Sequence, residues 1–239
     1  MFFKGVVYKA VLFDCDGTLL DTQYLYDLAV SAVLSKFDQK FTPEFCINHF
    51  DGKSWDQVFR DLRSENPDIP DVAFEIAVNV GGSLVREYAK TNSGVPEVLS
   101  KLKTLGIKMA VCSNGNFSDV VESLKWAGIL EYFGEENVVT RDKCREGKPH
   151  PEIYLTAAYK LQCKQNECLV VEDSITGATA ASAAEMDLIG YTGGSHSVYH
   201  YNLNSKMHDI CQTRLLSIES DFRKVFDHVY RSYKYEIAG

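Results

Sequence analysis

Two aspartates, Asp14 and Asp16, close a short apolar run and are followed at once by Gly17-Thr18. At the end of an extended segment, residues i and i+2 point to the same side of the chain. Two crowded carboxylates repel unless a cation or a shared proton resolves the conflict. A hard divalent cation with oxygen ligands does so naturally, and Mg²⁺ commonly takes one or two carboxylates together with water and a substrate phosphate. Asp173 ends another apolar run and offers a third oxygen, with Glu172 beside it as an auxiliary metal ligand. Lys148, in Gly147-Lys148-Pro149, supplies a point charge, and Ser113-Asn114-Gly115 supplies a hydroxyl, an amide and turn N–H groups. Phosphoryl transfer needs neutralised phosphoryl oxygens, a positioned nucleophile and a proton donor for the leaving group. A carboxylate can itself attack phosphorus. These residues therefore contain the parts of a metal-assisted phosphoryl-transfer site.

Each fragment alone has a plainer use. An Asp-x-Asp after a strand serves as a solvated turn or a cap. Ser-Asn-Gly suits turn geometry, Lys-Pro carries little information, and Glu172-Asp173-Ser174 can cap a following helix. The weight lies in their joint occurrence, in order, at strand ends or in adjacent loops.

The elements that must position them follow from pattern. Residues 8–13, 107–112, 168–171 and 187–191 are short apolar runs ending in polar or glycine residues, the signature of buried strands. Helical patterns separate them at 96–105, 118–127, 151–161 and 178–184. This alternation predicts an α/β fold with a mostly parallel sheet, whose ligands bind beyond the carboxyl ends of the strands. Residues 24–92 break the alternation with helical patterns at 24–37, from Thr42-Pro43-Glu44, at 54–62 and at 71–89. In the last, Val72, Ile76, Val80, Leu84 and Tyr88 form one stripe, the spacing of an apolar helix face. The expected organisation is a core of residues 1–21 and 93–239 and an inserted helical cap domain, 22–92, with hinges near Thr22 and Asn92-Ser93-Gly94. The tail after Tyr230 is expected to fray.

Composition narrows the function classes. The 239 residues carry 25 Lys plus Arg against 33 Asp plus Glu, a formal charge of −8, and are 45% hydrophobic. That composition excludes disorder and collagen-like structure. The acidic balance argues against nucleic acid as a partner, while a few local donors suffice for a small anion. Apolar stretches such as Ala10–Phe13 fall far short of the roughly 20 residues of a membrane span. Met1–Ala10, interrupted by Lys4 and Lys9, lacks a signal-peptide pattern. Seven cysteines without a CxxC pair read as free thiols in a reducing cytoplasm. A monomer or weak homodimer is expected.

The stretch Asp14-Cys15-Asp16-Gly17-Thr18-Leu19-Leu20-Asp21-Thr22 resembles the first motif of the haloacid dehalogenase superfamily. Ser113-Asn114-Gly115 resembles its second motif, Lys148-Pro149 its third and Glu172-Asp173-Ser174 its fourth, while Gly177-Ala178 and the helical insertion fit the branch with a helical cap. The resemblance implies a Rossmann-like core under a mobile lid. It makes Asp14 the nucleophile and Asp16 the general acid, then the base. It gives Mg²⁺ to the Asp14 carboxylate, the Asp16 backbone carbonyl and Asp173, and the phosphoryl group to Ser113 and Lys148. An aspartate at position 16 favours phosphate chemistry over dehalogenation, because the leaving oxygen needs a proton.

Within this branch the sequence is similar to sugar- and polyol-phosphate phosphatases and to β-phosphoglucomutase. The mutase pattern has a His where Tyr26 stands and an Arg where Trp55 stands, so hydrolysis of a small phosphorylated metabolite is the expected reaction. A β-phosphoglucomutase-like phosphotransferase is the alternative. A non-catalytic binding protein on the same scaffold would have lost a charged motif residue, and none is lost. Thr18, Asn114 and Gly115 are expected at the substrate. Lys53 and Trp55, on a turn with His49 and Asp51, are expected to reach it from the cap. Arg86 reads as a surface charge, Cys15 as packing, and His196 and His200 as part of a solvated loop.

Overall fold

The computed structural model describes residues 7–38, 40–50 and 52–238, with side chains as far as Lys234; Met1–Val6 and Asp51, and what the sequence suggested of them, lie outside the described residues. Six parallel strands form one sheet: β1 (Ala10–Phe13), β2 (Lys108–Ser113), β3 (Val138–Thr140), β4 (Cys168–Glu172), β5 (Asp187–Tyr191) and β6 (Leu215–Glu219). Their order across the sheet is β3-β2-β1-β4-β5-β6. β1 lies in the middle, with Phe13 in register with Val111 on one side and Val171 on the other. The order reverses at β1, and the carboxyl ends of β1, β2 and β4 open together onto the crevice where ligands bind in such sheets.

After β1 the chain first forms four helices, α1 (Gln23–Leu34), α2 (Pro43–Phe50), α3 (Trp55–Glu65) and α4 (Asp71–Tyr88). Six more surround the sheet: α5 (Val95–Thr104), α6 (Phe117–Trp126), α7 (Glu152–Lys160), α8 (Ile175–Ala183), α9 (Leu203–Cys211) and α10 (Arg223–Ala238). Strand alternation divides the apolar interior. Val11, Phe13, Val111 and Val171 pack with residues of α5, α6 and α10, while Leu12, Cys112, Val170 and Leu188 pack with residues of α7, α8 and α9. Burial on both faces explains why these strands read as continuous apolar runs.

α1–α4 form a helical layer with its own apolar cluster, which includes Val30, Leu34, Phe41, Phe50, Val58 and Phe74. Ser54 caps α3 in a reciprocal capping box with Gln57. The expected stripe on α4 faces the wrong way. Val72 and Tyr88 are 55% and 57% exposed, and the buried face is Ala73, Phe74, Ala77, Gly81 and Val85. The two stripes share the same period and differ by one position. Small residues win the inner face because they let α1 approach; a Cβ on Gly81 would stand 2.6 Å from Cδ1 of Tyr26.

Two strands, β3 and β6, were not legible as apolar runs. The segment expected to fray continues α10 to Ala238. Among the described residues, no helix is long and apolar enough to cross a membrane.

Candidate active site

The residues singled out from the sequence converge at the carboxyl end of the sheet. Asp14 leaves β1 with its N–H donating to the Val171 carbonyl. Its Oδ1 lies 2.5 Å from Nζ of Lys148, which also donates to Oε1 of Glu172 at 2.6 Å. Lys148 is 1% exposed. Its backbone is fixed by Asn114, whose Oδ1 accepts from the Lys148 N–H and whose Nδ2 donates to the Lys148 carbonyl and, at 2.9 Å, to that of Gly52 in the helical layer.

Glu172 also accepts from the Tyr154 hydroxyl and from the N–H and hydroxyl of Ser174. Gly177 is what lets that carboxylate fold back over the start of α8, since a Cβ there would be 1.6 Å from Oε1. Oδ1 of Asp173 accepts from the Thr18 hydroxyl at 2.6 Å. Asp16 is half-buried, and its Oδ1 accepts from Thr22 at the start of α1. Ser113 ends β2 with Oγ accepting from the Gly115 N–H. Asn92 ties the crossing back to the core by donating to the Gly17 and Thr18 carbonyls.

The electrostatics follow from burial. Desolvation pushes the Asp14 carboxyl well above the usual range; Lys148 opposes this, and the charges of Glu172 and Asp173 add to it. Desolvation also raises Asp16, against the Thr22 hydrogen bond and Lys148. Burial alone would lower Lys148, but Asp14 and Glu172 outweigh it and hold the ammonium firmly charged. Asp14, Glu172 and Asp173 each bring one carboxylate oxygen to within 4.8 Å of the others. Three buried carboxylates thus cluster around one lysine that bonds two of them, an excess of negative charge that suits a divalent cation with oxygen ligands.

A cavity opens above this floor. Asp14, Asp16, Ser113, Asn114, Gly115, Lys148, Glu172 and Asp173 line it from the core, and Gln23, Tyr26, Asp27, Lys53 and Trp55 from the helical layer. Asn116 and Asp119, at the start of α6, complete the wall. Thr18 departs from expectation: it does not line the cavity, because its buried hydroxyl is spent on Asp173. Lys53 lines the cavity but pairs with Asp61 at 2.7 Å. Trp55 meets Tyr26 edge-on, and His49 stacks on Phe45 away from the cavity.

Sequence reasoning missed Gln23, Asp27, Asn116 and Asp119, polar residues on helices or, for Asn116, just before one, with no motif to mark them. It also placed His196 on a solvated loop, whereas the ring is fully buried with Nε2 2.8 Å from Oδ2 of Asp173. The adjacent Gly193-Gly194 was the available signal, because it allows a close approach of backbone to side chain.

Residues 11–191 match the family of haloacid dehalogenase-like hydrolases. The chain is 29% identical over 184 residues to a phosphorylated carbohydrates phosphatase of Thermotoga maritima, covering 76% of this chain and 83% of that protein. Its fold is similar to that of a haloacid dehalogenase-like protein of Agrobacterium tumefaciens, with a TM-score of 0.81 at 23% identity over 94% of this chain and 98% of the other. A family hydrolase of Deinococcus radiodurans, solved with bound phosphate and sodium, aligns with a TM-score of 0.75 at 23% identity over 95% and 97% of the two chains. The chain belongs to the haloacid dehalogenase-like hydrolases, and its sheet is the Rossmann-like core of that family.

Proposed function

We propose that this hydrolase is a Mg²⁺-dependent phosphatase of a small sugar or polyol phosphate, working through a phosphorylated Asp14. The observation that carries the reading is the floor of the cavity, where Asp14 is buried against Lys148 with Asp16 and Asp173 beside it. Ser113 and Lys148 hold the phosphoryl group, with N–H groups of the 113–115 turn. An Asp14 oxygen attacks phosphorus, the ester P–O bond breaks, and the leaving oxygen takes the proton of Asp16. The raised pKa of Asp16 suits that donation, since a general acid must hold its proton near the working pH. Asp16 then accepts a proton from water as the water oxygen attacks the phosphorus, releasing inorganic phosphate and restoring Asp14. Asp14, Asp173 and the Asp16 carbonyl would hold Mg²⁺, with Glu172 behind them, and the ion would neutralise charge on the phosphoryl oxygens.

Residues 22–92 act in this reading as a lid on a core of 1–21 and 93–239. A separate apolar cluster and the short bridge between Leu20 and Thr91, where the chain crosses back, support that division. The roof and wall favour a neutral, hydroxyl-rich leaving group: Gln23 and Asp27 of the roof and Asn116 and Asp119 of the wall offer acceptors and amides, and Trp55 offers a ring face. Lys53 faces the cavity already paired with Asp61. The seven cysteines, all free thiols, fit a reducing compartment such as the cytoplasm.

The test is initial-rate phosphate release from a panel of phosphate monoesters, with Mg²⁺ and with chelator. β-Glucose 1-phosphate belongs in the panel with an isomerisation readout. Metal-dependent release from neutral sugar or polyol phosphates is the expected result. Isomerisation without release would make the protein a mutase, and a folded chain inert toward the whole panel would contradict the proposal.

A further inference from the structure

The mechanism leaves one buried polar side chain unused. His196 sits in a short 3-10 turn, Ser195–Tyr199, after β5 and is 0% exposed. Its Nε2 is 2.8 Å from Oδ2 of Asp173, and neither ring nitrogen has an aligned hydrogen bond among the described residues. Burying such a ring costs free energy unless its polarity is used.

The surroundings are shaped to admit it. A Cβ on Gly17, which has φ +91°, would stand 2.7 Å from Cε1 of His196 and 2.0 Å from Oδ2 of Asp173. A Cβ on Gly194 would stand 2.8 Å from the same imidazole carbon. The Asp173 carboxylate is thus met on both sides, by the Thr18 hydroxyl hydrogen-bonded to Oδ1 and by the His196 ring packed with Nε2 2.8 Å from Oδ2.

The turn carrying the histidine is itself anchored. The Ser195 N–H and hydroxyl donate to Oδ1 of Asp21 at 2.8 and 2.7 Å. Asn48 of α2 donates to the Tyr199 carbonyl and accepts from the Tyr201 N–H, both at 2.9 Å. The Tyr199 ring stacks on Tyr24 of α1 at 5.5 Å. His196 therefore joins Asp173 to a segment fixed by the end of the first motif and by two helices of the roof.

We infer that His196 is a positioning residue, holding the Asp173 carboxylate in the orientation in which it meets a divalent cation. The inference rests on the metal-assisted reading above, but its test needs no substrate. Groups that fix a metal-binding side chain from behind are commonly worth 10–100-fold in metal affinity.

Mg²⁺ binding to the full chain is measured by isothermal titration calorimetry for the parent, His196→Leu and His196→Gln. Leucine keeps much of the volume and removes the donor, whereas glutamine returns an N–H donor of similar reach. The expected result is a Kd raised about tenfold or more in His196→Leu and restored to within about threefold of the parent in His196→Gln. Without metal the leucine variant still melts cooperatively, and its deficit shows in Mg²⁺ affinity. A merely structural role predicts the reverse, a lowered melting temperature with Mg²⁺ affinity intact. If His196→Leu does not fold, His196→Asn, polar but too short to reach Asp173, shows the same loss of affinity. Unchanged affinity in the leucine or asparagine variant overturns the inference, as does an equal loss in His196→Gln, or a parent that binds no Mg²⁺. A parent that binds Mg²⁺ and hydrolyses no ester, with the leucine variant weakened, leaves this inference standing and sinks the proposed function.

Discussion

Two lysines face the same cavity from different regions of the molecule, each bonded to a carboxylate at nearly the same distance. In the core, Lys148 lies 2.5 Å from Asp14 with its side chain 1% exposed; in the helical layer, Lys53 lies 2.7 Å from Asp61 with 34% of its side chain exposed. Lys148 is also held through its backbone by Asn114 and shared with Glu172. Lys53 has water as an alternative partner. The same pair of residue types is thus locked in one region and adaptable in the other. In the proposed mechanism the floor does the chemistry, which needs fixed charges in a dry site. In the same mechanism the roof would meet the leaving group, which adaptable polar side chains can do.

Substitutions can break or sharpen that contrast. If Asp14 is the nucleophile proposed above, Asp14→Asn lowers phosphate release by more than about 10⁴-fold; activity surviving at even a hundredth of the parent would mean that the floor is not where the bond is made. Lys148→Met leaves Asp14 and Glu172 buried without their cation and destabilises the metal-free protein by about 3–5 kcal/mol in denaturant unfolding. In Trp55→Ala the account expects KM to rise about tenfold with kcat little changed, as loss of leaving-group contact requires. A fall in kcat alone would place Trp55 with the floor. Lys53→Met is the counterpart of Lys148→Met and costs at most about 1 kcal/mol.

The smallest expected effect concerns the loop that carries Lys148. Glu152 accepts from the Arg145 and Glu146 N–H groups at 3.1 and 3.0 Å, and these bonds hold its carboxyl below the usual range. A depressed folded pKa contributes stability above the unfolded value, and that contribution is lost as pH falls through the folded one. The parent is therefore slightly more stable than Glu152→Gln at pH 7, and the difference shrinks once pH drops below about 4.3, the ordinary glutamate value. Paired thermal melts across that window check it.

The floor was legible in the sequence because its carboxylates and Ser113 lie at the ends of strands buried on both faces. There apolar runs stop sharply, and the chemistry begins at the next residue or two, as at Phe13-Asp14 and Glu172-Asp173. β3 escaped because it is three residues long. β6, at the sheet edge, is only partly buried, and its apolar pattern is correspondingly weak. The buried face of α4 was misplaced because its large apolar residues suggest a core, while close helix packing selects the alanines and glycine one position away. Thr18 was expected at the substrate, but its hydroxyl turns inward to Asp173. His196 was invisible for a related reason: nothing local marks a loop histidine as buried, and its partner is 23 residues earlier in the chain.

The most direct test of the account is to catch the covalent step. The parent is mixed with Mg²⁺ and the best ester of the panel, quenched in acid during turnover, and measured by intact-protein and peptide mass spectrometry. The account predicts a gain of one phosphoryl group on the peptide carrying Asp14 and no gain in Asp14→Asn. Turnover by the parent with no phosphorylated protein, or with the group on Ser113 or another residue, would contradict it.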